Sequence, residues 1–163
     1  MSAGQPPAAD DGRELGARVH AALLSHGQTV GCAESLTGGE LAALLSAPPG
    51  ASATFVGAVV SYATSVKRAV LRVTAEHVVS ARCAEQMATG VRTLLDTDWA
   101  LATTGVAGPD PQEGQPPGTV YVAVAGPRGA SSTRLALQGD RGAVRRATCL
   151  AAARLLLEEA GDG

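Results

Sequence analysis

Five short stretches of this sequence set hydroxyls, glycines, a lysine and an arginine at spacings that could do polar chemistry. In Ala33-Glu34-Ser35-Leu36-Thr37-Gly38-Gly39, two hydroxyls stand beside two glycines. Between a strand and a helix, such a turn presents free amide donors, so Ser35, Thr37, Gly38 and Gly39 are candidates to hold an anion or an oxyanion. The order G-x-x-x-x-G-K-[ST] is absent, which separates the turn from the phosphate loop of nucleoside-triphosphatases. In Ser61-Tyr62-Ala63-Thr64-Ser65-Val66-Lys67, the lysine enters a short helix at the positive end of its dipole. Burial or a cationic neighbour lowers a lysine pKa towards that of a usable base. Lys67 is therefore a candidate to take a proton from a serine, with the Tyr62 hydroxyl relaying it or orienting a substrate.

Thr103-Thr104-Gly105-Val106-Ala107-Gly108-Pro109 opens a stretch that reaches Gly118 with little to pack. A loop longer than about 12 residues suggests a lid or a ligand-binding rim, with Thr104 and Gly105 at its root. In Gly139-Asp140-Arg141, Asp140 can cap a helix while Arg141 offers a planar fork suited to phosphate or carboxylate. Ser52, after Pro49-Gly50-Ala51, is a further free hydroxyl on a loop before a strand. Each stretch by itself also reads as plain structure: a cap, a turn, an exposed lysine, a solvated arginine. Their combination points to chemistry.

Positioning these residues takes a particular succession of elements. Leu15, Val19, Ala22 and Leu23 fall on one side of an amphipathic helix over 12–26, with Gly27 to end it. Residues 28–33 predict a short strand and 39–47 a helix, so that the Ser35 turn joins strand to helix. After the turn at 48–52, the apolar run 54–61 predicts a buried strand, followed by a helix over 64–71. Ser80 can cap a helix whose Ala84, Met87, Ala88, Val91 and Leu95 share a face, before a strand over 98–103. Residues 119–125 and 132–137 read as two strands joined by the Pro-Arg-Gly turn, and Asp140 can cap a last helix with Val144, Ala147, Ala151 and Leu155 inward. The expected fold class is α/β: a single domain with a mixed β-sheet covered by α-helices, over 12–163, preceded by a disordered tail over 1–11.

Composition narrows the function. The 163 residues, 45% hydrophobic and 17% charged, fit one globular domain rather than a disordered chain. A net charge of -2 and an aromatic content of 2% argue against nucleic-acid binding, which relies on basic patches and stacking platforms. Cys32, Cys83 and Cys149 are odd in number and far apart, and His20, His26 and His77 lack ligand spacing. Neither a disulfide framework nor a metal site is expected, and the thiols suit the cytoplasm. No run approaches the ~18 apolar residues of a membrane span, and the amino-terminal residues lack the pattern of an export signal, so no membrane partner is expected.

Taken in order, AESLTGG (33–39), PPGAS (48–52), GAVVSYATSVK (57–67), TTGVAGP (103–109), PGTVYVAV (117–124) and GDR (139–141) resemble the CinA C-terminal domain family, competence/damage-inducible proteins that include stand-alone nicotinamide-nucleotide amidohydrolases. The resemblance covers residues 13–160 and implies a CinA C-terminal domain-like fold. It also implies hydrolysis of the carboxamide of nicotinamide mononucleotide to nicotinate mononucleotide and ammonia, without metal or cofactor. Ser35 matches the serine of the family's glycine block, Ser52 the serine after its P-G turn, and Tyr62 and Lys67 the tyrosine and lysine of its third block. Thr104 and Arg141 match positions of the substrate pocket. Larger members carry an added N-terminal domain, so this chain is expected to hold the deamidase module alone. It departs from the pattern at Thr64, where an Asn is usual, and at Leu36, where a Cys is common; both bear on substrate preference.

An amide is a poor electrophile with a poor leaving group, so its hydrolysis needs an activated nucleophile, a proton for ammonia and donors for an oxyanion. Either Ser35 or Ser52 could attack; the strand-to-helix turn favours Ser35, because it sets the hydroxyl beside free amides. The alternative function is a nucleotide- or partner-binding module without useful turnover, linked to competence or DNA damage. A homodimer is expected, since a chain so apolar and poor in large aromatics either packs every face internally or shares one with a copy.

Overall fold

Strand β1 (Val30–Glu34) is buried along its whole length and pairs in parallel with two neighbours, β2 (Phe55–Val60) and β3 (Trp99–Gly105). A strand covered on both faces favours small or apolar residues; Val30, Cys32 and Ala33 supply them as far as the closing Glu34, and a side chain at Gly31 would collide with Leu95. The computed structural model describes residues 10–161. Beyond β3 the sheet turns antiparallel: β4 (Thr119–Gly126) pairs with β3 and forms a hairpin with β5 (Gly129–Ala136), giving the order β2-β1-β3-β4-β5. The chain is a single α/β domain with one mixed sheet between helices.

Helices α1 (Asp10–Ser25), α2 (Glu40–Ser46) and α5 (Arg141–Gly161) cover one face, around Leu15, Val19, Leu23, Leu41 and Leu156. Helices α3 (Thr64–Leu71) and α4 (Ala81–Leu95) cover the other, around Leu71, Cys83, Met87 and Val91. The expected caps are made: Ser80 Oγ accepts the Cys83 amide at 3.1 Å, and Asp140 Oδ1 accepts that of Ala143 at 2.8 Å. Gly27, at φ 62°, ends the first helical segment.

Two expectations need correction. The run 54–61 is not a buried strand: β2 lies at the sheet edge, where one neighbour and partial helix cover leave Val56 and Val60 about half exposed. The inward stripe of α5 runs through Val144, Thr148, Cys149, Ala152, Ala153 and Leu156, while Ala147, Ala151 and Leu155 are half-buried. Thr148 can be buried because its hydroxyl donates to the Val144 carbonyl at 2.7 Å, so a polar residue joins the apolar face. Part of the turn region 48–52 is a single 3-10 turn, Ala51–Ala53. The tail expected over 1–11 falls mostly outside the described residues, and α1 begins at Asp10. Among the described residues, no helix is long and apolar enough to cross a membrane.

Candidate active site

Strands β1 and β2 end side by side, with Glu34 paired to Val60, and the Ser61 amide donates to the Glu34 carbonyl at 2.8 Å. That shared ending brings the turn after β1 and the loop after β2 together. Lys67, one turn into α3, reaches back between them. Its side chain is 1% exposed, and Nζ lies 2.9 Å from Ser35 Oγ, 2.7 Å from the Ser61 carbonyl and 3.1 Å from that of Tyr62. Three acceptors match the three protons of an ammonium. When the proton shared with Ser35 leaves, the remaining two still serve the carbonyls, and the lone pair faces the serine hydroxyl.

Burial lowers the Lys67 pKa from its ordinary 10.5, while charge on Cys83 or Glu113 would raise it. Burial likewise pushes the Cys83 thiol up to about 11, against the opposing pull of the Lys67 charge.

The Ser35 turn is held from beneath by Glu34, a fully buried residue. Glu34 Oε1 accepts the Thr37 hydroxyl at 2.6 Å and the Leu41 amide at 2.9 Å, and Oε2 accepts the Ala42 amide at 3.1 Å. With its own proton given to Glu34, Thr37 accepts from the Thr103 hydroxyl at 2.8 Å. Above the turn, Arg145 Nε donates to the Leu36 carbonyl at 3.0 Å and Nη2 to that of Thr37 at 3.2 Å, with Glu40 at 3.3 Å. The Gly38 amide closes the turn on the Ser35 carbonyl at 3.1 Å. The amides of Leu36, Thr37 and Gly39 have no acceptor among the described residues.

A cleft of about 440 Å³ opens over Ser35, bounded by Leu36, Tyr62, Arg141 and the loop 105–112. That volume lies in the ~300–1,000 Å³ range of small-molecule sites. A larger groove of about 750 Å³ runs along the outer side of α3 and α4, away from these residues; chemistry, not size, selects the smaller one. Arg141 crosses the cleft mouth: Nη1 donates to the Gly108 carbonyl at 2.9 Å, and Nη2 to the Tyr62 hydroxyl at 2.9 Å. The Tyr62 side chain is 59% exposed.

The structure therefore gathers Ser35, Lys67, Tyr62, Gly105 and Arg141, and sets other expected residues apart. Ser52 precedes β2 whereas Ser35 follows β1, so the length of the parallel pair, about 17 Å, separates them. Ser52 is exposed there and does not belong to the constellation. Thr37 and Thr104 are buried, and their hydroxyls are engaged internally, Thr104 on the Val78 carbonyl at 2.6 Å. They shape the site without facing it. Gly38 and Gly39 form the turn but do not line the cleft.

Residues not singled out from sequence carry much of the support. Glu34 had a visible signal, a charge closing an otherwise apolar strand beside a serine. Arg145 stands four positions after Arg141, hence on the same helix face. Glu113 gave none: its carboxylate fastens the cleft loop to the segment before α4, accepting the Val78 and Val79 amides at 3.1 and 2.6 Å, across 34 or more residues. Among the described residues, no group of three or more His, Cys, Asp or Glu could hold a metal ion.

The model of the CinA C-terminal domain family matches residues 12–160. A CinA-like protein of Frankia casuarinae is 47% identical over 150 residues, 89% of this chain and 34% of that protein. One from Synechococcus elongatus is 42% identical over 138 residues, 81% of this chain and 33% of its own. The chain thus spans about a third of the length of these relatives. The crystal structure of a CinA superfamily protein from Klebsiella pneumoniae superposes with a TM-score of 0.89 at 37% identity, covering 93% of this chain and 99% of that one. A competence/damage-inducible protein from Agrobacterium tumefaciens gives 0.86 at 31% identity, covering 97% and 98%.

Proposed function

The chain belongs to the CinA C-terminal domain family, and on that premise we propose that it is a nicotinamide-nucleotide amidohydrolase, converting nicotinamide mononucleotide to nicotinate mononucleotide and ammonia in pyridine-nucleotide salvage. The observation that carries this reading is the 2.9 Å approach of the buried Lys67 Nζ to Ser35 Oγ beneath a cleft of substrate size. A buried lysine whose pKa burial lowers, set beside a serine, is the arrangement of a nucleophile with its base.

In this reading, Ser35 Oγ bonds to the carboxamide carbon as its proton passes to Lys67. The carbonyl oxygen takes the electron pair and is stabilised by the unpartnered amide of Leu36, which borders the cleft. On collapse the C–N bond breaks, and Lys67 returns the proton to the departing nitrogen, which leaves as ammonia. Water then adds to the Ser35 ester as Lys67 takes its proton; the C–Oγ bond breaks, Lys67 returns that proton to Oγ, and nicotinate mononucleotide leaves. Tyr62 orients the substrate at the cleft mouth. Arg141, with two N–H groups engaged on Gly108 and Tyr62, keeps others of its five donors for the phosphate.

No step calls for a metal or cofactor, and the three free thiols accord with a cytoplasmic setting. Ammonia release from nicotinamide mononucleotide by the purified protein, unchanged by chelator, is the expected result. Binding of the nucleotide without ammonia would refute the amidohydrolase and leave a nucleotide-binding module.

A further inference from the structure

We propose that Glu113 is a positioning residue that sets the wall of the cleft over Ser35, and with it the affinity for the nucleotide, an inference that rests on that cleft being the substrate site. Residues 105–112 form the wall. From Pro109 to Pro117 no residue is buried, so packing does not place the segment. Among the described residues, only the Glu113 carboxylate hydrogen-bonds it to the rest of the domain before the turn into β4, where the Thr119 amide donates to the Pro116 carbonyl at 3.2 Å. Pro109, Pro111, Pro116 and Pro117 fix φ at four of its nine positions, so one anchor is enough to set a stiff segment.

The backbone at Glu113 runs against its residue type. Gln112 and Gln115 exchange both backbone hydrogen bonds, at 3.1 and 2.8 Å, around Glu113 at φ 50° and Gly114 at φ 72°. Two left-handed central residues make a type I′ turn, which favours Asn, Asp or Gly at its first centre; a glutamate keeps that conformation only where its surroundings hold it. Its carboxylate supplies the hold. Oε2 and Oε1 accept the Val78 and Val79 amides at 3.1 and 2.6 Å, and His77 Nδ1 lies 3.4 Å from Oε2. Bonds to an ionised acceptor are the strong kind, and this side chain is only 23% exposed. The anchor point is itself fixed: the Val78 carbonyl, on the same peptide plane as the Val79 amide, accepts the Thr104 hydroxyl at 2.6 Å. Thr104 stands in β3 next to Gly105, which borders the cleft. An unbroken path thus runs from β3 through the Val78–Val79 peptide and Glu113 to the wall, whose Gly108 carbonyl in turn receives Arg141.

The test compares the wild type with Glu113→Asn, which suits the turn but is too short to reach the amides, and Glu113→Gln, which reaches them with one acceptor oxygen instead of two. For Glu113→Asn, hydrogen–deuterium exchange over residues 105–117 and at the Val78 and Val79 amides should quicken at least ~10-fold, while that of β1 and α4 stays as in the wild type. KM for nicotinamide mononucleotide should rise about tenfold with kcat changed less than about threefold. Ser35 and Lys67 stand on other elements, and a wall in its binding position only about a tenth of the time lowers affinity by that factor. Glu113→Gln should recover part of the loss. A residue serving the turn alone would tolerate Asn, so a Glu113→Asn protein with KM within about twofold of the wild type would overturn the inference. A wild type that binds the nucleotide without releasing ammonia would sink the amidohydrolase reading; the Glu113 inference then stands if Glu113→Asn raises Kd about tenfold and falls if Kd is unchanged. A wild type that neither binds nor turns over the nucleotide would overturn both.

Discussion

The Arg141 guanidinium donates to the Tyr62 hydroxyl at 2.9 Å, tying the first turn of α5 to the loop after β2 across the mouth of the cleft. Arg141 is exposed, so this contact organises the entrance more than it stabilises the fold. Replacing it should act on substrates according to what they bring to the mouth. Arg141→Ala is expected to raise KM for nicotinamide mononucleotide by about tenfold or more, and to change that for nicotinamide little, because only the nucleotide offers a phosphate to the fork. Equal effects on the two substrates would exclude phosphate recognition by Arg141.

The two serines separate on distance from Lys67. Ser35→Ala removes the hydroxyl that the amine faces and should lower kcat by at least ~10³-fold. Ser52→Ala, at the opposite end of the parallel strands, should stay within about twofold of the wild type. Both variants should keep the wild-type circular dichroism spectrum. A comparable loss from Ser52→Ala would overturn the assignment of the nucleophile.

These serines also show where sequence reasoning stops. Strand-turn-helix punctuation around Ser35 was readable because Gly38, Gly39 and the apolar run before them are local signals, and the caps at Ser80 and Asp140 were readable for the same reason. Distance between Ser35 and Ser52 was not, because it depends on two strands running parallel, a non-local fact. Edge placement of β2 escaped likewise: an apolar run has the same pattern whether one or two strands flank it. The inward direction of the Thr37 and Thr104 hydroxyls was not legible, because a buried and a substrate-facing hydroxyl look alike until their partners, Glu34 and Val78, are in place. Arg145 and Glu113 act on backbone groups, which leave no trace in residue type.

Assembly remains a proposal that the surface makes testable. Val56 and Val60 on the edge strand and Val70 and Leu94 on the outer helices are 41–52% exposed, an apolar surface that a second copy could cover. We expect a homodimer, the commonest way for a chain to share such a face. Light scattering across a dilution series should report twice the chain mass at micromolar concentration; a monomer mass throughout would exclude it.

Close helix packing gives a stability prediction of opposite sign at two glycines. A methyl group at Gly90 in α4 would stand 2.2 Å from the Leu71 carbonyl oxygen, so the end of α3 can cross there only over a glycine. Gly90→Ala should destabilise by about 1–3 kcal/mol, overriding the helix preference for alanine of about 1 kcal/mol. At Gly12 in α1, the same methyl would meet only Leu150 and Leu44 at 3.8 and 3.9 Å, an ordinary contact. Gly12→Ala should leave Tm unchanged or raise it. Urea denaturation of both variants checks the pair, and a Gly90→Ala protein as stable as the wild type would contradict the crossing.

The pH dependence of Lys67 links the chemistry to the fold. A base must be neutral to accept the Ser35 proton, so kcat/KM should rise with pH through the Lys67 pKa and level off above it, with a midpoint below the ordinary 10.5. Stability moves in the same direction. Between the lowered native pKa and 10.5, the unfolded chain binds the proton that the native state has released, so the native state gains stability as pH rises through that window. Lys67→Met keeps the length of the side chain without the charge. It should lower turnover at least ~100-fold and remove this share of the pH dependence of stability while the protein stays folded. A rate that is flat from about pH 6 to about pH 10 in the wild type, or a folded Lys67→Met protein with undiminished turnover, would rule out Lys67 as the base.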